Sequence, residues 1–201
     1  MADFAFLSIV ELGRLLRQKK TSATELATYF LDRLERIGPR YNAVVTVTRE
    51  RALGEAAQAD REIKAGKWRG PLHGIPYGVK DLLATKDYPT TWGAEPYRQQ
   101  KLDHDATVVE RLGAAGAVLV AKLAMVELAG GMGYNQANAS FTGPGKTPWN
   151  PNYWAAVRRA DLALLSPPAS CRSRSGPKHP VRSLRRRHTV ACRVSARRTA
   201  W

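Results

Sequence analysis

The first 154 residues predict an α/β domain, because segments with a helical spacing of apolar residues alternate with short apolar runs. Two runs give the clearest strand signals. Residues 42–47 are rich in β-branched side chains, and residues 117–121 form an apolar run suited to a strand covered on both faces. Residues 155–201 show neither pattern. The sequence therefore predicts one domain over 1–154 and a separate basic tail over 155–201.

Cap and stop residues delimit the first two helices. Ser8 is a good N-cap for a short helix, and Ser22 with Glu25 forms an S-x-x-E capping box for the next one. Gly38 and Pro39 are expected to end this second helix, since glycine and proline both favour a C-terminal stop.

The later elements follow from glycines and composition. A charged, alanine-rich helix is predicted over 49–65, and a helix over 106–115 is expected to end at Gly116. Between them, residues 77–80 predict a short buried strand. Residues 128–152 are rich in Gly, Asn and Pro, which predicts a long loop of functional use.

The basic charge of the chain is concentrated in the tail. The formal net charge is +15, which by itself favours a nucleic-acid or membrane-surface partner. Residues 1–154, however, carry 20 basic and 16 acidic side chains, whereas residues 155–201 carry 12 basic and one acidic. A nucleic-acid-binding arm on an α/β scaffold is thus one hypothesis, and it predicts salt-sensitive binding that is lost when 155–201 are removed. The tail composition also predicts disorder.

The cysteines and the N-terminal segment indicate the compartment. Cys171 and Cys192 both lie in the tail, without the spacing of a disulfide framework or a metal site. No basic residue precedes the first apolar stretch, which argues against a signal peptide, and no run reaches the roughly 18 apolar residues needed to span a bilayer. We therefore expect a cytoplasmic protein that makes no membrane contact.

Lys80, in the string GIPYGVKDLL, is the most informative residue. An ordinary lysine at a strand end keeps its ammonium in water. A lysine that loses solvent can instead become a neutral amine and serve as a base. The neighbouring Asp81 could orient Lys80 or end the strand by bonding local backbone. His73, in a Gly-Pro turn, is expected to be structural, and His104, among charges, to be solvated.

Three strings in order carry a family resemblance: PLHGIPYGVKDLL, DATVVERLGAAGAVLVAK and the loop that ends GPGKTPWNPNYW. Together they resemble the amidase-signature family across about residues 65–154. The resemblance implies a mixed β-sheet covered by helices and a carboxylic amide as the small-molecule substrate, with no metal or organic cofactor. It implies that Lys80 is the terminal base of a Ser–cis-Ser–Lys triad, and it places Gly130, Gly131 and Met132 where the loop approaches the substrate.

The two serines of that triad are missing. The family continues after the NP-x-x-W string with a GGSSSG-type segment and then an ETSGSI-like nucleophile string, whereas this chain has AAVRRADLALLSPPASC. A shift of frame at Trp154 restores them, because synonymous codons then allow GGGSSSG, PGAAVAAGLVPFAIG, TETSGSI and later HCGVSGLRPTYG. The sequence therefore predicts a truncated, frameshifted amidase that lacks activity as written.

Two functional branches remain open within the family. A stand-alone amidase is favoured modestly, because nothing in the sequence shows a partner surface. The alternative is the glutamine-hydrolysing subunit of a tRNA-dependent amidotransferase, which would meet tRNA only indirectly. The sequence predicts no oligomeric state.

Overall fold

The computed structural model describes residues 4–130, 136 and 138–153. Four α-helices and three strands lie in these ranges: α1 Ile9–Arg17, α2 Ala23–Tyr41, β1 Val44–Val47, α3 Arg49–Lys64, β2 Pro76–Lys80, α4 Thr107–Ala114 and β3 Val118–Leu123. Short 3-10 turns occupy Phe4–Phe6, Glu95–Tyr97 and Glu127–Ala129. No helix among the described residues is long and apolar enough to cross a membrane.

The sheet is mixed, with strand order β1-β3-β2. β1 pairs antiparallel with β3, and β2 pairs parallel with β3. Every residue of the central strand β3 is buried; the apolar run 117–121 predicts this burial up to Ala121, but not for Lys122. β2 is less buried than its sequence predicts, because only Val79 is fully covered among its five residues. The predicted α/β class with a mixed, helix-covered sheet is confirmed.

The two faces of the sheet pack against different helices. On one face, α2 and α3 cover the sheet in a large apolar cluster that includes Leu26, Leu34 and Val120. On the other face, a small cluster joins Val79 and Leu119 to Val109 of α4. Helices on both faces bury β3 completely and leave the carboxyl ends of β2 and β3 at one edge of the sheet.

A bulge in β3 sets the register of β2. Tyr77 lies opposite Leu119, but the next residue of β2 lies opposite Ala121, so Val120 is the extra residue. Two side chains at the start of and within α3 bond the backbone of Leu119, next to this bulge. The Thr48 hydroxyl donates to the Leu119 carbonyl at 2.7 Å, and the Leu119 N–H donates to a Glu55 carboxylate oxygen at 2.8 Å. The backbone N–H and carbonyl of Leu119 are therefore both satisfied inside the fold.

The predicted end of α2 is wrong. The helix continues through Gly38 and Pro39 to Tyr41 and ends at Asn42, whose φ of 51° makes it the left-handed cap. Proline removes only one hydrogen bond this near a helix end, so it does not stop the helix. Gly38 is required for packing instead, since a Cβ there would lie 2.9 Å from Val44 Cγ2.

Side chains cap the helices where the sequence predicts caps. Ser8 and Glu11 form a complete capping box on α1, and Ser22 accepts the Glu25 N–H at 3.0 Å on α2. The reciprocal half of the α2 box is not formed, because the Glu25 carboxylate accepts the Thr21 hydroxyl instead. Asp60 of α3 adds an unforeseen cap to α2, which is described below.

Candidate active site

Lys80 is the last residue of β2 and lies at the carboxyl edge of the sheet. Its carbonyl accepts the Leu83 N–H at 3.0 Å, so the chain turns away at once. Strand alternation directs the Lys80 side chain to the face opposite Val79. The side chain is half-buried, and no described residue forms an ion pair or hydrogen bond with its ammonium.

The Asp81 carboxylate does not bond the Lys80 ammonium. It pairs with Lys122 of β3 at 2.9 Å, and both side chains are fully buried. The Lys122 ammonium also donates to the Pro89 carbonyl at 2.7 Å and to the Thr90 hydroxyl at 2.5 Å. Burial lowers the pKa of Lys122, and the charge of Asp81 opposes this shift.

Lys122 is a buried residue that the sequence did not single out. A lysine directly after the apolar run 117–121 was the available signal, because a buried lysine needs a charged partner. The parallel register sets Lys122 opposite Val79, two residues before Asp81. The pairing of two parallel strands therefore brings together charges that are far apart in sequence.

The glycine-rich loop begins at the same edge of the sheet. After β3 the chain forms a turn at Glu127–Ala129, in which Leu128 and Ala129 have φ of 50° and 52°. Gly130 follows, and its N–H donates to the Glu127 carbonyl at 2.9 Å. Gly131 and Met132 lie outside the described residues. Two successive non-glycine residues with positive φ indicate local backbone strain, which concentrates at functional sites.

His73 is a structural residue on the amino-terminal side of β2. It is fully buried, and its Nδ1 accepts the Arg69 N–H at 3.2 Å. Its Nε2 lies 3.3 Å from a Glu62 carboxylate oxygen. Burial lowers the pKa of His73, with Glu62 opposing and Arg69 reinforcing this shift. These contacts agree with the structural interpretation, and they hold the loop that leads into β2.

His104 and the turn at Asn150 are exposed parts of the surface. His104 is exposed, as its charged neighbours predict. Asn150 forms a turn within the predicted loop, with its side-chain oxygen accepting the Asn152 N–H at 3.0 Å and its carbonyl accepting the Tyr153 N–H at 3.0 Å. Trp149 beside it is 82% exposed, so this turn serves the loop rather than the core.

A mixed α/β fold, a lysine at a strand end without an ion-pair partner among the described residues, and a glycine-rich loop that begins at the same sheet edge together define a candidate functional site. The family model described as Amidase matches residues 25–156. AmiD of Mycobacterium tuberculosis, which is named as an amidase, is 38% identical over 165 residues, which cover 82% of this chain and 34% of that protein. One component of the glutamyl-tRNA(Gln) amidotransferase of Thermosynechococcus vestitus is 41% identical over 143 residues, or 71% of this chain and 29% of the relative.

Solved structures agree with these relatives. The native peptide amidase from Stenotrophomonas maltophilia superposes with a TM-score of 0.71 at 30% identity, covering 81% of this chain and 34% of that one. The chain belongs to the amidase family. It spans about a third of the length of the relatives it matches.

Proposed function

We propose that this chain is the front part of an amide hydrolase in which Lys80 is the catalytic base. The observation that carries the proposal is the position of Lys80: half-buried, at the carboxyl end of β2, and without a counter-ion among the described residues. The neighbouring Lys122 cannot take this role, because Asp81 and Thr90 occupy its ammonium.

The chemistry follows from the Ser–cis-Ser–Lys arrangement of the family. Neutral Lys80 accepts a proton from the bridging serine, which takes the proton of the nucleophilic serine as that oxygen bonds to the amide carbonyl carbon. The C–N bond breaks, and the leaving nitrogen departs with a proton as ammonia or amine. Water then attacks the acyl-enzyme and releases the carboxylic acid. By the same resemblance, backbone N–H groups in a glycine-rich turn stabilise the developing oxyanion, and Gly130, Gly131 and Met132 lie where the loop approaches the substrate.

The two serines belong to the shifted frame in this proposal. Residues 155–201 lie outside the described part of the chain, so the predicted tail remains a prediction. The family match ends at residue 156, close to Trp154, whereas the match to AmiD covers 165 residues and therefore extends past Trp154, so the position of the break remains a prediction. Resequencing the gene from the Trp154 codon to the present stop tests this directly. A missed or added base restores a full-length hydrolase, whereas an unchanged sequence means that this chain has Lys80 without its serines.

A stand-alone amidase is the preferred branch of this proposal. The relatives include both amidases and the amidotransferase component, so the second branch has equal family support. The two branches differ in their dependence on a partner. A frame-corrected protein that hydrolyses simple amides alone is a stand-alone amidase, whereas one that releases ammonia from glutamine only with further subunits belongs to an amidotransferase.

Substitution of Lys80 in the frame-corrected protein tests the base. Lys80→Met should reduce kcat by about 10²–10⁴-fold, the usual contribution of a positioned base. Lys86→Met is the matched control, because Lys86 is an exposed lysine six residues away that pairs only with Asp103 among the described residues. Full activity of Lys80→Met alongside the control would remove Lys80 from the mechanism.

A further inference from the structure

The buried ion pair between Asp81 and Lys122 has no part in the proposed chemistry, although Asp81 directly follows the base. Both side chains are fully buried, and their atoms Oδ1 and Nζ are 2.9 Å apart. A buried pair of this kind often adds no net stability compared with apolar side chains of the same volume, because both charges lose their water. Its presence next to Lys80 therefore calls for a role other than stabilisation.

Asp81 uses its backbone and its carboxylate to join two parts of the fold. Its N–H donates to the Leu123 carbonyl of β3 at 2.9 Å, and its carbonyl accepts the Trp92 N–H at 3.3 Å. The second carboxylate oxygen accepts the Thr91 N–H at 3.1 Å and also the Thr91 hydroxyl. Lys122 bonds Pro89 and Thr90 of the same segment. The residue after Lys80 is thus tied both to β3 and to residues 89–93, which we call the bracket segment.

The bracket segment continues to the glycine-rich loop. The Trp92 carbonyl accepts the Leu128 N–H at 2.7 Å, and the Gly93 carbonyl accepts the Phe141 N–H at 3.1 Å. Gly93 has a φ of 73°, and a Cβ there would lie 2.6 Å from the Met125 carbonyl oxygen. Trp92 and Leu128, which bond each other, have positive φ of 52° and 50°. Strained residues persist where the surrounding contacts hold them.

We propose that Asp81 and Lys122 are a positioning pair, which holds the Lys80 end of β2 and the turn before Gly130 in one fixed arrangement through the bracket segment. The pair acts through the backbone. Strand alternation sets Lys122 on the face of Val79, opposite to Lys80, so its charge does not face the base amine. The catalytic meaning of this arrangement rests on the proposed role of Lys80, while the arrangement itself is measurable without activity.

The test is the reactivity of the Lys80 amine in the full 201-residue chain. Trace acetic anhydride labels amines across a pH series, and peptide mass spectrometry gives the labelling rate of Lys80 relative to that of exposed Lys64. Asp81→Asn breaks the pair, and Asp81→Asn with Lys122→Met removes both charges while retaining volume. Removing both charges avoids the uncompensated buried charge that makes single substitutions unfold proteins.

A positioning pair and a merely stabilising pair give different results for the double variant. Positioning predicts a change of about threefold or more in the ratio of the Lys80 to the Lys64 labelling rate, even when the thermal unfolding midpoint is restored. A stabilising pair predicts that midpoint and ratio return together to their original values, which would overturn the proposal. Asp60→Asn is the destabilising control, since its bonds lie in α2 and α3, and it should leave the ratio unchanged.

Hydrogen exchange of the unaltered chain tests the proposal without any variant. The N–H groups of Asp81, Trp92 and Leu128 each donate a bond that links the base strand, the bracket segment and the loop. Protection equal to that of the β3 amides is expected, and exchange at the rate of open loops would overturn the proposal. If Lys80→Met leaves the frame-corrected enzyme active, the base assignment fails while these measurements still decide the positioning pair.

Discussion

Asp60 on α3 should stabilise the start of α2 more than its N-cap serine does. The Asp60 carboxylate accepts the N–H groups of Ala23 and Thr24 at 2.7 and 3.1 Å, and the Thr24 hydroxyl at 2.7 Å. Ser22 accepts one N–H, that of Glu25, at 3.0 Å. Two side chains thus satisfy three of the four N–H groups that a helix start leaves free.

The expected difference follows from these bonds. Each hydrogen bond to a charged group contributes about 1.5–3 kcal/mol. Because the site is partly exposed, water can replace some of the three hydrogen bonds that Asp60→Ala removes. We therefore expect the free energy of unfolding to fall by about 2–3 kcal/mol. Ser22→Ala should cost about 1 kcal/mol. For a chain of this size, each kcal/mol corresponds to a fall of about 2–4 °C in Tm.

Urea unfolding followed by far-UV circular dichroism measures both variants against the unaltered chain. The midpoint should fall further for Asp60→Ala than for Ser22→Ala, with the urea dependence of the unfolding free energy unchanged. Equal losses, or a larger loss for Ser22→Ala, would refute the conclusion that the long-range cap from α3 dominates.

Two further predictions concern the His73 region. In Gly116→Ala, the new Cβ would clash with His73 Cδ2, and the φ of 80° is unfavourable for alanine. Thermal unfolding should therefore show a loss of at least about 2 kcal/mol in the free energy of unfolding. Gly113→Ala in α4, with no atom within 4 Å, should instead gain about 0.5–1 kcal/mol, and similar effects at both sites would contradict the packing. Because burial lowers the pKa of His73 in the folded state, the unfolded chain takes up the proton first as pH falls below 6.5. Stability should therefore fall from pH 7 towards pH 5. His73→Gln should reduce this dependence of stability on pH between pH 7 and pH 5. The Glu62 carboxyl contributes only at more acidic pH, because its pKa is about 2. An unchanged pH dependence in His73→Gln would exclude His73 as the source.

The elements that could be predicted from sequence are those set by local chemistry. Ser8 and Ser22 cap helices because their hydroxyls reach N–H groups three residues away, and Gly116 ends α4 because it adopts a φ of 80°. The central strand followed from its unbroken apolar run. Lys80 was correctly expected at a strand end, because the apolar residues before it end there.

The features that the sequence did not reveal depend on contacts between distant segments. The partner of Asp81 is Lys122, 41 positions away, and only the parallel pairing of β2 with β3 brings them together. Asp60 caps a helix that begins 37 residues earlier. Pro39 remains inside α2 because the left-handed Asn42 closes the helix after it, helped by a bond from its side-chain amide to the Pro144 carbonyl. No local sequence pattern predicts these contacts.

The most direct test of the account compares amide hydrolysis by two versions of one gene. The first encodes the chain as printed, and the second corrects the frame by one base at the Trp154 codon. Ammonia or amine release from a panel of simple carboxylic amides should be at background for the first and clearly above it for the second. Amide turnover by the printed chain would contradict the account. So would a frame-corrected protein that folds but hydrolyses neither the simple amides nor, with amidotransferase partners, glutamine.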